Sequence, residues 1–78
     1  MEKFELSVNW KKENLHFEVR DYMHHDGEQC KYEIYQDGQF IGSLEPHGRH
    51  DLQICKNPGV VKDELLHVIA DELERYSI

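Results

Sequence analysis

Residues 3–10 read KFELSVNW, and this stretch decides the fold. Its apolar residues stand at every second position from Phe4 to Trp10, with polar residues between them. Because successive side chains of a strand point to opposite faces, this alternation predicts a β-strand with one buried and one wet face. Leu15, Phe17 and Val19 repeat the pattern and predict a second strand of the same kind.

The polar segment 11–14 separates these strands and predicts a hairpin with a four-residue loop. That loop predicts three apolar cross-strand pairs: Trp10 with Leu15, Val8 with Phe17, and Leu6 with Val19. The same register sets Glu5 opposite Arg20 on the other face. Apolar partners therefore meet on a single face, which is how a half-buried hairpin is stabilised.

A third strand is predicted where Cys30, Tyr32 and Ile34 alternate with polar residues, and Asp37-Gly38 marks the turn that follows. Two turns compete at this point. A two-residue turn would place Ile34 opposite Ile41 and would put Phe40 on the wet face.

The alternative is a three-residue loop, residues 36–38, with Gly38 in a left-handed conformation. It places Ile34 opposite Phe40 and Tyr32 opposite Gly42, so that the Tyr32 ring covers the gap at the glycine. We favour this loop because it keeps the apolar residues of the fourth strand on the core face.

The last part of the chain predicts a short strand over residues 51–56 and then a helix. In the strand, Leu52 and Ile54 face inward and Cys55 faces outward. Asn57-Pro58 is typical of a helix start, since asparagine caps well and proline suits the first helical position. Apolar residues then recur at helical spacing, which predicts an amphipathic helix: Val61, Leu65, Val68, Ile69, Leu73 and Tyr76.

The order of these elements predicts an α+β fold. We expect a five-stranded antiparallel meander with one C-terminal α-helix packed on one face, in a single domain over residues 1–78. A hydrophobic content of 38% supports a folded globular chain rather than a disordered one.

The net charge, the cysteine spacing and the lack of a recognisable targeting segment limit the classes of function that the sequence supports. The 16 acidic and 9 basic residues leave a formal charge of -7, which disfavours nucleic acid and an anionic membrane as partners. No secretory signal or membrane-spanning stretch is visible. Cys30 and Cys55 match no metal-binding spacing, so we expect reduced thiols in a cytoplasmic protein.

Histidines in two predicted loops provide a hypothesis of metal binding. The second and fourth strands of a meander run in the same direction, so the loops that leave them lie at the same end of the sheet. The candidate ligands for zinc, nickel or copper are His24, His25, His47 and His50, together with Asp26 and Asp51. The simpler interpretation is that each ring faces water, because no recognised metal motif is present.

The face away from the helix provides the other candidate site. Most of its residues are polar, but Tyr22, Tyr35 and Ile41 are predicted there as apolar exceptions, and aromatic residues are enriched at interface hot spots. The sequence has no recognised catalytic motif, so we expect neither an enzyme nor a cofactor.

We therefore predict a small non-catalytic protein-interaction domain that uses this open sheet face or an edge strand, with a protein partner or a second copy. A transition-metal-binding domain is the alternative, and an acidic inhibitor of a basic protein is a third hypothesis.

Overall fold

The computed structural model describes residues 2–22, 30–47 and 51–77 of the chain. Within these ranges it has six elements: β1 (Glu2–Trp10), β2 (Glu13–Asp21), β3 (Tyr32–Gln36), β4 (Gln39–His47), β5 (Asp51–Lys56) and α1 (Asp63–Ser77). The strands form one antiparallel sheet in the order β1-β2-β3-β4-β5. The predicted α+β meander is confirmed.

Helix α1 lies across one face of the sheet and contacts both edge strands, β1 and β5. The apolar sides of the strands meet the helix in one buried cluster, in which Phe17, Ile34 and Leu73 are almost completely enclosed. The opposite face of the sheet carries mostly polar and half-buried residues and is called the open face below. Among the described residues there is no helix with the length and apolar character that crossing a bilayer requires.

The turn between β1 and β2 is shorter than predicted. It consists of Lys11-Lys12, and both residues have positive φ, 48° and 68°. Two left-handed central residues form a type I′ turn, whose twist matches that of the strands it joins. The ladder therefore starts at Trp10 opposite Glu13.

This shorter turn moves the register of the hairpin by two residues, so the predicted pairs are wrong. The observed apolar pairs are Val8 with Leu15, Leu6 with Phe17, and Phe4 with Val19. A shift of two residues preserves the side of the sheet on which each side chain lies. The predicted faces of β1 and β2 are therefore right.

The turn between β3 and β4 also differs from the prediction. It has two residues, Asp37-Gly38, with φ of 51° and 81°, and Tyr35 pairs with Phe40. The extra residue sits in the ladder instead, at Ile41, because Ile34 pairs with Gly42. A bulge of one residue reverses the alternation of side chains on its strand. The two-residue turn sets Phe40 on the open face with Tyr35 and directs Ile41 into the core, where it is 1% exposed, which contradicts its predicted place on the open face. The bulge then returns Leu44 to the core face.

Gly42 accommodates the helix rather than the Tyr32 ring. A Cβ atom at Gly42 would lie 2.8 Å from a Leu66 methyl group and 3.3 Å from the Lys56 carbonyl oxygen. The predicted cover by Tyr32 is wrong because Tyr32 pairs with Leu44, two residues beyond Gly42.

A disulfide joins Cys30 to Cys55, so the prediction of reduced thiols is wrong. Cys55 is an extra residue in the β4–β5 ladder, since Leu44 pairs with Ile54 and Ser43 with Lys56. Strands two apart in a sheet are separated by about 9.5 Å. The Cα atoms of the two cysteines are only 6.1 Å apart, so the chain at Cys30 has left the plane of the sheet. The cytoplasmic expectation loses the support that it took from reduced thiols.

The helix begins at Asp63, later than predicted. Gly59 has a φ of 93°, which is incompatible with a right-handed helix, so the helix cannot begin at Pro58. Asn57 instead forms a turn, accepting a hydrogen bond from the Gly59 backbone N–H, and its side-chain amide donates to Asp63 Oδ1 at 2.6 Å. The first turn of the helix is thereby fixed to the chain that enters it.

Candidate functional site

The open face carries a group of interacting side chains from three neighbouring strands. We call it the open-face cluster, and its members are Glu18, Arg20, Tyr22, Glu33, Tyr35 and Phe40. The strand pairs explain its position, because Glu18 lies opposite Tyr35, Arg20 opposite Glu33, and Tyr35 opposite Phe40. Tyr22 follows β2, and its backbone N–H donates to the Lys31 carbonyl at 2.8 Å.

Arg20 is held between a carboxylate and an aromatic ring. Its Nε donates to Glu18 Oε2 at 2.6 Å, and its guanidinium lies 3.9 Å from the centre of the Tyr35 ring. The hydrogen bond from Arg20 lowers the pKa of the Glu18 carboxyl below its usual value. Only 29% of the Arg20 side chain is exposed, so its position is restricted by contacts on both sides.

Glu33 accepts hydrogen bonds from two tyrosines at one oxygen. Tyr22 donates to Glu33 Oε1 at 2.6 Å, and Tyr35 donates to the same atom at 3.1 Å. The bond to Glu33 is the main cause of the raised pKa of Tyr22. Burial is the main cause for Tyr35, whose pKa is also raised by Glu33. Both hydroxyls are therefore fixed as neutral donors around one carboxylate.

Phe40 completes the cluster by an aromatic contact. Its ring lies edge-on to the Tyr35 ring, with 5.6 Å between the centroids. The sequence predicted Ile41 rather than Phe40 on the open face, but the two-residue turn pairs Phe40 with Tyr35 and leaves Phe40 half-buried there. Tyr22 and Tyr35 lie on the open face as predicted and share a hydrogen-bond acceptor.

A shallow depression of about 240 Å³ adjoins the cluster. It is lined by Glu5, His16, Phe17, Glu18, Tyr35, Asp37 and Gly38. Glu5 and Glu18 stand directly opposite each other in the ladder, although like charges in such pairs are destabilising. The Tyr35 ring therefore has Arg20 on one face and is bordered by an acidic hollow.

The predicted metal site falls mostly on residues that the structure leaves undescribed. His24, His25, Asp26 and His50 lie outside the described residues. His47 is exposed at the end of β4 and pairs in register with Asp51. Residues 2–22, 30–47 and 51–77 contain no group of three or more potential ligands, and the metal hypothesis stays a prediction.

Comparison with known proteins adds no relative. No family model, curated protein or solved structure matches the sequence.

Two members of the open-face cluster, Tyr22 and Tyr35, were predicted as site residues from the sequence, and the other four were not. The alternation of Glu18, Arg20 and Glu33 with apolar neighbours determines their face, but it does not indicate the contacts that they make there. Phe40 was assigned to the core. The Asp37-Gly38 dipeptide was the signal that could have corrected this, since it is the preferred pair for a two-residue turn.

Proposed function

We propose that this chain is a small non-catalytic protein-interaction domain whose binding surface is the open-face cluster. One observation carries the proposal: tyrosine, phenylalanine and arginine side chains are grouped on the sheet face that the helix leaves uncovered. Tyrosine and arginine are enriched at interface hot spots and phenylalanine at interfaces in general, and a rigid aromatic side chain buries a large area at a low cost in conformational entropy.

The cluster is organised before any partner arrives. Arg20 is held by Glu18 and the Tyr35 ring, and both tyrosine hydroxyls are held by Glu33. Binding therefore immobilises few additional side chains, which reduces the entropic cost of association. Strands also hold such side chains more rigidly than loops do.

The surrounding residues supply a polar rim. Lys3, Glu5 and His16 are exposed beside the cluster. A hydrophobic centre with a polar margin is the usual composition of a protein interface. The hollow next to Tyr35 offers a place for one side chain of the partner, and its carboxylates favour a basic one.

Photo-crosslinking tests the proposal without removing the aromatic group. A photoreactive phenylalanine analogue replaces Phe40 in the full chain expressed in its native cells, and a matched protein carries the analogue at His67, which is exposed on the helix. We expect a discrete crosslinked partner from position 40 and none from position 67. The adduct from position 40 should disappear when Arg20→Ser is added.

The folded state of each protein is checked by amide NMR, because Phe40 and Arg20 are only partly exposed. Equal adducts from both positions, or an adduct insensitive to Arg20→Ser and Tyr35→Ser, would show that the open face is not the binding surface.

A further inference from the structure

We infer that the free edge of β1 binds an extended, basic segment of another protein as a sixth, antiparallel strand. This inference rests on the proposed function, since it gives the interaction domain a second docking surface. The surface is the outer edge of β1 together with the groove between β1 and α1.

The backbone of β1 is arranged for such pairing. Because the residues that flank a two-residue turn exchange hydrogen bonds, Trp10 and every second residue before it direct their backbone groups towards β2. The intervening residues, Lys3, Glu5, Ser7 and Asn9, direct theirs outward. No strand of the described residues pairs with this side of β1, so a row of donors and acceptors is available to an added strand.

A groove lies beside this edge, on the side of the helix. It has a volume of about 410 Å³ and lies between the second half of β1, with Asn14, and the stretch of α1 from Val68 to Arg75. Its lining includes Val8 and Val68, with Asp71, Glu72 and Arg75 further along the helix. An added strand would place alternate side chains into this groove, so apolar residues suit those positions.

Charge identifies the kind of segment that fits. Glu72 is paired with Arg75 at 3.2 Å, whereas Asp71 has no ion pair within the described part of the chain. Glu5 faces Glu18 across the ladder, and a basic side chain on the added strand would offset that repulsion. The chain has a net charge of -7, so a second copy is repelled and a basic partner is attracted.

The opposite edge of the sheet lacks these properties. β5 contains the bulge at Cys55 and is tied to Cys30 by the disulfide. It is also shorter, with 6 residues against the 9 of β1. Bulged, short edges discourage pairing with another strand, and β1 is therefore the edge that we assign to the partner.

The probe is a fluorescent peptide as long as β1 in which lysine and valine alternate. In an antiparallel pair, residues that exchange hydrogen bonds lie opposite each other and share a face. Peptide residues that exchange hydrogen bonds with the outward-directed residues of β1 therefore lie on the open face, and the alternate peptide residues lie in the groove. If the valines occupy the groove, the lysines are the hydrogen-bonded residues, so the lysine amides point towards β1 and the valine amides point away. Peptides N-methylated at the lysines or at the valines thus form a matched pair with the same sequence and charge.

We expect the unmodified peptide to bind, the valine-methylated peptide to retain binding, and the lysine-methylated peptide to lose about tenfold or more in affinity. Fluorescence anisotropy measures the affinities, and amide NMR should report shifts at Lys3, Glu5 and Ser7. Since methylation alters only the probe, this comparison does not depend on the folding of a variant.

Variants of the protein test the same surface. Ser7→Pro removes an outward N–H and should abolish binding, whereas Ser7→Thr keeps that donor and should bind normally. Glu5→Lys should weaken binding, because the lysines of the added strand lie on the face of Glu5, and a peptide alternating glutamate and valine should bind less tightly than the lysine peptide.

Several outcomes would overturn the inference: equal binding of the two methylated peptides, equal binding of a non-alternating peptide of the same composition, or a dimer of the unliganded protein that Ser7→Pro dissociates. The double variant Tyr35→Ser/Phe40→Ser disrupts the open-face cluster, and it therefore separates failure of the edge-strand inference from failure of the proposed function. Peptide binding lost in that double variant but kept in Ser7→Pro would refute the edge site and leave the open face as the binding surface.

Discussion

Leu66 lies directly over Gly42, so that a Cβ atom on the glycine would come within 2.8 Å of one leucine methyl group and 2.9 Å of the other. Leu66 is completely buried in the first half of α1, and Gly42 follows the bulge in β4. This contact sets how closely the helix approaches the sheet.

We predict that Gly42→Ala lowers the free energy of unfolding by about 1 to 3 kcal/mol, because the added methyl group overpacks a filled core. Leu66→Ala should cost about 2 to 5 kcal/mol by opening a cavity. Urea denaturation of both single variants measures these changes.

The double variant provides the control. With Leu66 truncated, the new methyl group has space, so Gly42→Ala should cost clearly less than in the natural chain. Strictly additive effects would show that Gly42 and Leu66 do not share one packing site.

The disulfide makes a separate prediction. Cys30 and Cys55 are 25 residues apart, and closing a loop of that size stabilises a fold by about 3 kcal/mol. Cys30→Ala/Cys55→Ala should therefore lower the free energy of unfolding by roughly this amount, as measured by denaturant titration. Alkylation under native conditions is the check, since labelling of both cysteines would restore the expectation of free thiols.

The β1–β2 turn is expected to gain stability from glycine. Lys12 has a φ of 68°, a region that disfavours residues with a Cβ atom. Lys12→Gly should raise the free energy of unfolding by up to about 1 kcal/mol. Lys11 is left unchanged because its ammonium lies 5.4 Å from the Trp10 ring.

Thermal and urea unfolding compare Lys12→Gly with Lys12→Ala, which keeps the Cβ atom and should give no gain. A loss of stability in the glycine variant would favour the longer loop expected from the sequence.

The hydrogen bond between Tyr22 and Glu33 predicts a pH effect. The pKa of Tyr22 is raised chiefly by this bond, and its folded form therefore favours the protonated hydroxyl. Its contribution to stability is complete below the ordinary tyrosine pKa of 10.0 and is lost as the pH rises through the higher, folded-state pKa.

Glu33→Gln removes the negative charge and should move the pKa of Tyr22 back towards its ordinary value. NMR titration of the tyrosine ring carbons follows each residue separately. Glu64→Gln, on the exposed side of the helix, serves as the matched control. An unchanged Tyr22 titration in Glu33→Gln would exclude Glu33 as the cause.

How far the site could be predicted depends on the range of the interactions involved. Tyr22 and Tyr35 could be assigned to the open face because alternation within one strand determines a face locally. Phe40 and Ile41 were assigned to the wrong faces because a two-residue turn at Asp37-Gly38 keeps Leu44 in the core only if a bulge follows, and a bulge depends on how two strands meet. Their exchange replaced an aliphatic neighbour of Tyr35 by an aromatic one and changed the composition of the candidate surface.

The sequence by itself determined which side chains of β1 and β2 are buried and which face of α1 is apolar, since each follows from a period of two or about 3.6 residues within a single element. Only the tertiary structure decided the strand register, the bulges at Ile41 and Cys55, and the disulfide. Moving a strand by two residues leaves every face unchanged, so alternation cannot select among registers. That selection depends on turn conformation and on contacts such as that of Leu66 with Gly42, which join residues distant in the chain.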